Sequence, residues 1–398
     1  MKKKNLPFTL SVITALLTAC TPAQQDQQAT PPKATDEPLL TTALRPYAQP
    51  LVPVTIDGKT YHFILDTGAP YTFIDTRTAA ALTKAMPDAE VPEYFRHYIG
   101  GLGTLGNDLD IHQMTYWQPR PLLIGRQPVA NSVPWVGMDL SAFDQSYGTH
   151  VDGLLGATAF RQLNWSTDNL TGTLTIDALP PSTAGYERCA PYEDAFGAGP
   201  DLTIQLANGN GGPMRIDTGA SYDSISADTL RVLGEQGANV EKIGQATRLA
   251  ASGPYDANVY LVGGLQFGDT PIGKLKVYES SGANNLGMSF LSRFDKYVFI
   301  PSEMLFCYTT RQLGRDDQRP VRQLELSAEQ GHLVIGTANR SPEGLASGLQ
   351  VDDVLLTVNG NAVKAIDIEA IRHQLADAPS GSLTLGIERH GEAMIIKL

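Results

Sequence analysis

The tetrapeptide Asp-Thr-Gly-Ala occurs twice, at Asp66-Thr67-Gly68-Ala69 and at Asp217-Thr218-Gly219-Ala220, and the likeness runs well beyond it. Residues 66–82 and 217–233 align without a gap and agree at eight of 17 positions: the tetrapeptide, Tyr71/Tyr222, Ile74/Ile225, Thr78/Thr229 and Leu82/Leu233. Upstream of each copy the pattern reads strand, tight turn, strand: Leu51 to Ile56, Asp57-Gly58, Tyr61 to Leu65; then Leu202 to Leu206, a turn over Asn208 to Gly212, and Met214 to Ile216. Downstream, Leu154-Leu155-Gly156 and Asn285-Leu286-Gly287 lead into apolar stretches at Ala159-Phe160 and Phe290-Leu291. Such a chain is expected to fold as two lobes descended from one duplication. Each lobe would carry its Asp at the end of a strand.

At 398 residues the chain exceeds what one hydrophobic core usually holds, so two or three domains are expected. Its 38 Gly and 26 Pro suit a turn-rich, mainly β chain. Residues 1–19 read as a targeting segment: Lys2-Lys3-Lys4, an apolar run, then Leu17-Thr18-Ala19-Cys20, which resembles a bacterial lipoprotein cleavage box. Cleavage there would leave Cys20 as a lipidated N-terminus; the alternative is an ordinary secretory signal with an incidental Cys. Thr21 is not Asp, which by resemblance to lipoprotein sorting rules implies the periplasmic face of the outer membrane. No later apolar run approaches membrane-spanning length, so the lipid is the expected anchor.

Loss of the signal removes three Lys and takes the formal charge from −12 to −15, which argues against nucleic acid as a partner. Residues 20–46, rich in Gln, Thr and Pro, read as a flexible linker. The lobes are expected at 47–180 and 181–312, and a separate module at 323–398. Cys189 and Cys307 could pair in an oxidising compartment or remain as two thiols.

The two DTGA hairpins, each followed by a Leu-Gly signal, resemble the pepsin and retropepsin group of aspartic peptidases over residues of about 47 to 310. The resemblance implies a mainly β, two-lobed pepsin/retropepsin-like β-barrel fold in which Asp66 and Asp217 meet across a pseudo-twofold axis. It also implies that Thr67 and Thr218 bond across that axis, and that Gly68 and Gly219 leave room beside the carboxylates. Two carboxyls that close cannot both ionise, so one is the general base towards water and the other the acid that polarises the peptide carbonyl. No metal or other cofactor is expected. Where a Ser or Thr could donate to the neighbouring carboxylate, Ala69 and Ala220 cannot, so both acids are expected to titrate high and activity to peak in mild acid.

Family members close a β-hairpin flap over the substrate. The glycine-rich segment from Tyr98 through Gly100 and Gly101 to Thr104 is the candidate in the first lobe; Leu249 to Gly253 holds the corresponding place in the second. Gly101-x-Gly103-x-x-Gly106 matches a nucleotide fingerprint, but Asn107-Asp108-Leu109-Asp110 does not open a helix in a βαβ unit. The seven His show no metal-ligand spacing, and Gly287-Met288-Ser289-Phe290-Leu291 lacks the second Gly of a nucleophile elbow.

From about Gln323 the order of elements, with Ser347-Gly348-Leu349-Gln350-Val351-Asp352-Asp353, Asn359-Gly360, a helix from Ile366 to Leu375 and a hairpin turning at Arg389-His390-Gly391-Glu392, resembles a small α+β PDZ domain. Its carboxylate-binding loop would be Gln323-Leu324-Glu325-Leu326, where a Glu repels a peptide C-terminus. Peptide capture and a docking or regulatory role are both open for this module. Two functions are compatible with the whole chain. One is a lipid-anchored periplasmic aspartic endopeptidase acting on peptides or unfolded proteins; the other is a non-catalytic peptide-binding envelope lipoprotein. A monomer is expected, because two matched lobes already satisfy the symmetry.

Overall fold

A computed structural model describes residues 37–100, 114–194, 198–250, 253–310, 312–318, 326–336 and 348–398. Strict alternation opens both halves. Val52, Val54 and Ile56 of Leu51–Ile56, and Leu202, Ile204 and Leu206 of Asp201–Leu206, are buried while their neighbours face outward. Each strand turns back on the next, Lys59–Leu65 or Gly211–Ile216, to give the expected hairpins.

Around these hairpins the halves build two nine-stranded sheets in the same order. The first runs Ala85–Met86, Thr115–Trp117, Trp135–Met138, Phe73–Asp75, Gly153–Leu155, Lys59–Leu65, Leu51–Ile56, Leu122–Ile124, Gln127–Val129. The second runs Asn239–Ala250, Gly253–Gly263, Leu275–Ser280, Asp223–Ser226, Asn285–Leu286, Gly211–Ile216, Asp201–Leu206, Leu265–Phe267, Thr270–Pro271. The repeated residues have matched places. Ile74 and Ile225 are fully buried, and both copies end in a capped helix, Thr76–Leu82 behind Asp75 and Ala227–Glu235 behind Ser226.

A six-stranded sheet joins the halves, in the order Leu40–Ala43, Thr173–Asp177, Asn164–Asp168, Lys296–Ile300, Leu305–Thr309, Arg188–Pro191. Phe160, Trp165, Phe299 and Phe306 pack within one continuous core spanning both halves. At the sheet's edge Cys189 lies opposite Cys307, and the two sulfurs are bonded at 1.99 Å.

The linker expected to reach residue 46 ends earlier. Leu40–Ala43 is a strand paired to Thr173–Asp177, because Leu39 and Leu40 pack on the shared core and the two Thr suit a sheet edge. Residues 1–36, with the expected signal segment, Cys20 and most of that linker, lie outside the described residues.

The C-terminal module has its own core, with Leu333, Leu355, Leu375, Leu385 and Ile387 at its centre. Its sheet runs Leu326–Glu329, His332–Ile335, Val354–Val358, Thr384–Arg389, Glu392–Lys397, and the helix Ile368–Asp377 packs against it. Asp352 adopts φ +70°, a left-handed conformation that Gly takes more easily. Gln323 to Glu325 lie outside the described residues, whereas Leu326 begins the first strand.

Candidate active site

Each DTGA loop leaves a buried strand through the same bond. Lys59–Leu65 lies parallel to Gly153–Leu155, and Asp66 N–H donates to Leu155 O at 2.9 Å; Gly211–Ile216 lies parallel to Asn285–Leu286, and Asp217 N–H donates to Leu286 O at 3.0 Å. The Leu-Gly signals therefore brace the acids from behind. A side chain at Gly156 would strike the Tyr71 carbonyl, and one at Gly287 the Tyr222 carbonyl.

The loops then exchange contacts. Thr67 N–H donates to Thr218 Oγ1 at 3.1 Å and Thr218 N–H to Thr67 Oγ1 at 3.1 Å. The hydroxyls donate onward to the opposite strand, Thr67 to Ile216 O at 2.5 Å and Thr218 to Leu65 O at 2.6 Å. A Cβ on Gly68 would stand 2.5 Å from Cγ of Asp217, and one on Gly219 would collide with the carboxyl of Asp66. These glycines are where one loop makes room for the other's acid.

The two carboxyls therefore face each other, close enough that each alters the other's hold on a proton. Gly68 and Ala69 N–H both donate to Asp66 Oδ1 at 3.0 Å; Gly219 N–H donates to Asp217 Oδ1 at 2.9 Å. Burial pushes Asp66 well above the ordinary carboxylate range, the charge of Asp217 adds to it, and the Ala69 N–H opposes. Burial raises Asp217 too, but the facing Asp66 carboxyl and then the Asn285 amide restrain the rise. Burial is thus the leading cause for both acids. The pair has the electrostatics of a site that keeps one proton and one charge.

Asn285 was not among the expected site residues. Its Nδ2 donates to Asp217 Oδ2 at 2.6 Å. The signal was an Asn where the other half has Leu154. Gln49 and Tyr147 were also unexpected: Tyr147 OH donates to Gln49 Oε1 at 2.7 Å, and Gln49 Nε2 reaches Gly219 O at 3.3 Å, tying the first half to the second loop.

The flap expectation in the first half is corrected at Tyr98 and Gly100. Tyr98 and Gly100 belong to the helix Glu93–Gly100, anchored by the buried Phe95 against Tyr71, rings 4.7 Å apart; Gly101 to Thr104 lie outside the described residues. Among the described residues the long hairpin is in the second half, where Asn239–Ala250 pairs with Gly253–Gly263 along its whole length, with Leu249 and Gly253 of the second candidate at its end. From it Arg248 stacks its guanidinium 4.3 Å over Tyr222 and 4.1 Å over Tyr278.

The C-terminal helix Ile368–Asp377 meets this same strip. Tyr222 OH donates to Glu369 Oε2 at 3.1 Å, and the His373 ring stacks on Tyr47 at 4.0 Å and on Tyr222 at 5.7 Å. Lys276 pairs with Asp377 at 3.5 Å and Arg45 with Asp367 at 2.5 Å. Tyr71 and Tyr222, identical in the repeat, therefore part company: one packs on a helix of its own half, the other carries the C-terminal module.

A family model described as Aspartyl protease matches residues 52–98, the stretch that holds Asp66 and its hairpin, and supports a hydrolase of the aspartic protease kind. No curated protein matches the chain.

Proposed function

We propose that this chain is an aspartic endopeptidase on a two-lobed pepsin/retropepsin-like scaffold, with Asp66 and Asp217 as its catalytic pair. One observation carries the reading: each DTGA loop places its Gly against the other loop's carboxyl while the two threonines bond across the joint, so the two buried carboxyls face each other. A dyad holding one proton takes a proton from water at the ionised acid while the protonated acid donates to the peptide carbonyl, giving a tetrahedral diol. Return of a proton to the amide nitrogen and loss of one from the diol break the C–N bond and restore the dyad. The reciprocal threonine bonds keep both acids in register, and the hairpin 239–263 serves as the flap.

In the same reading residues 1–19 are a signal peptide, Cys20 carries a lipid, and the enzyme works at the periplasmic face of the outer membrane on peptides or unfolded proteins. Residues 323–398 form a PDZ-like module. Cleavage of a peptide library by the form lacking residues 1–20, beside Asp66→Asn and Asp217→Asn, tests the chemistry. Each substitution is expected to abolish cleavage; retained cleavage in either rejects the dyad. Membrane fractionation of Cys20→Ala tests the anchor, and an unchanged membrane share rejects it.

A second reading, a peptide-binding lipoprotein without activity, draws on the Glu369 and His373 contacts to Tyr222, which cover part of the strip beside Asp217. Binding of peptides without cleavage at any pH would favour it.

A further inference from the structure

Beyond the acids and their threonines the two halves of the site stop matching, and at two matched positions the polar residue falls on the second side. Two residues before each acid stands Ile64 in the first half and Arg215 in the second; before each downstream Leu-Gly stands Leu154 in the first and Asn285 in the second. Ile64 and Leu154 are buried apolar side chains, so they offer Asp66 no hydrogen bond. Arg215 is engaged by Asp201 at 2.5 Å and by Ala198 O at 2.7 Å and acts on Asp217 only through its charge. Asn285 touches the acid directly, at 2.6 Å, from a position only 8 % exposed.

The oxygens of the pair are consequently unequal. Asp217 has a donor on each: Gly219 N–H on Oδ1 and Asn285 Nδ2 on Oδ2. Asp66 has both of its N–H donors on Oδ1, and among the described residues no N–H donates to its Oδ2. An oxygen that accepts from an amide NH₂ is stabilised as carboxylate and is a poor seat for a proton. Oδ2 of Asp66 is left for it.

We propose that Asn285 is a positioning residue that holds the negative charge on Asp217, making Asp217 the general base and Asp66 the acid that protonates the peptide carbonyl. This rests on the peptidase reading above. Water oxygen attacks the carbonyl carbon as its proton passes to Asp217, and the Asp66 proton passes to the carbonyl oxygen. Asp217 then gives its proton to the leaving nitrogen, Asp66 recovers one from the diol, and the C–N bond breaks. Water is consumed and both acids regain their starting state.

The test is the pH profile of kcat/KM for wild type, Asn285→Leu and Leu154→Asn/Asn285→Leu. Without the amide the charged form of Asp217 loses a hydrogen bond, so the acid limb of Asn285→Leu should move to higher pH by about one to two units, with KM changed less than about twofold. Adding Asn at position 154 offers the symmetric donor to Asp66 and should move the limb back. Should the Leu variant fail to fold, Asn285→Ala gives the same test with a smaller side chain. A folded Asn285 variant with an unshifted limb, while Asp66→Asn and Asp217→Asn are inert, overturns the proposal and leaves the peptidase reading standing. If wild type itself cleaves nothing, the peptidase reading falls first and takes the proposal with it.

Discussion

At Thr67 and Thr218 the repeat becomes a joint, because each hydroxyl accepts the opposite backbone N–H and donates to a carbonyl of the opposite strand. Both side chains are buried, so removing one hydroxyl leaves an N–H and a carbonyl unmet. Thr218→Val is expected to cost about 3 kcal/mol in urea unfolding; a cost under about 1 kcal/mol would show that the joint is dispensable. Asp223 makes a different statement about pH. It is fully buried beside the second loop, where the first half has Thr72; its Oδ1 accepts from Gly287 N–H at 2.8 Å. Burial, then the charge of Asp317, push it up to about 7 from an ordinary 3.8. Between those values the folded chain keeps a proton that the unfolded chain has lost, so stability falls as pH rises through that window and stays low above it. Asp223→Asn should therefore raise Tm at pH 8 and not at pH 4; an equal effect at both would contradict this. The acids and threonines were legible because the tetrapeptide repeats; Asn285 was not singled out, because its meaning lies in a contact across the sheet.

Among the elements, the hairpin 239–263 is the one proposed above as the flap. Its strands are long and lack glycine except for a few positions, one beside the register shift between Lys242 and Gly244, so the sequence advertised it less than the glycine-rich run after Tyr98. Tyr98 and Gly100 of that run lie in a helix because Phe95 had a buried site to fill there, and glycine permits motion without specifying a hairpin. Binding of an extended peptide with a non-cleavable hydroxyethylene link should slow amide exchange in 239–263 by at least about tenfold while 93–98 stay unchanged. The reverse pattern would assign the flap to the first half.

For the whole molecule, the contact between the C-terminal module and Tyr222 sets a condition on access. His373 lies between Tyr47 and Tyr222 with its Nε2 buried and lacking a hydrogen-bond partner among the described residues. Burial, then the charges of Lys276, Arg248 and Arg372, pull it down to about 3. The undocked imidazole takes a proton near 6.5 and the docked one does not, so docking weakens as pH falls from about 6.5 towards 3. Acid that suits the dyad should also loosen the module, with Glu369 left to face Arg372 alone. Proteolysis of the segment joining 318 to 326 is expected to quicken on acidification in wild type, and much less in His373→Phe, which keeps the stacking without the titration. Equal acceleration in both would place the effect elsewhere. The duplication, the two acids and the separate C-terminal module could be determined from the sequence by itself, since a repeat, a strand-turn pattern and a change of element order are local in the chain. The joint sheet, the Asn285 contact and the docking of the last helix were decided by tertiary structure, since each depends on residues that meet only after the chain has buried its apolar faces.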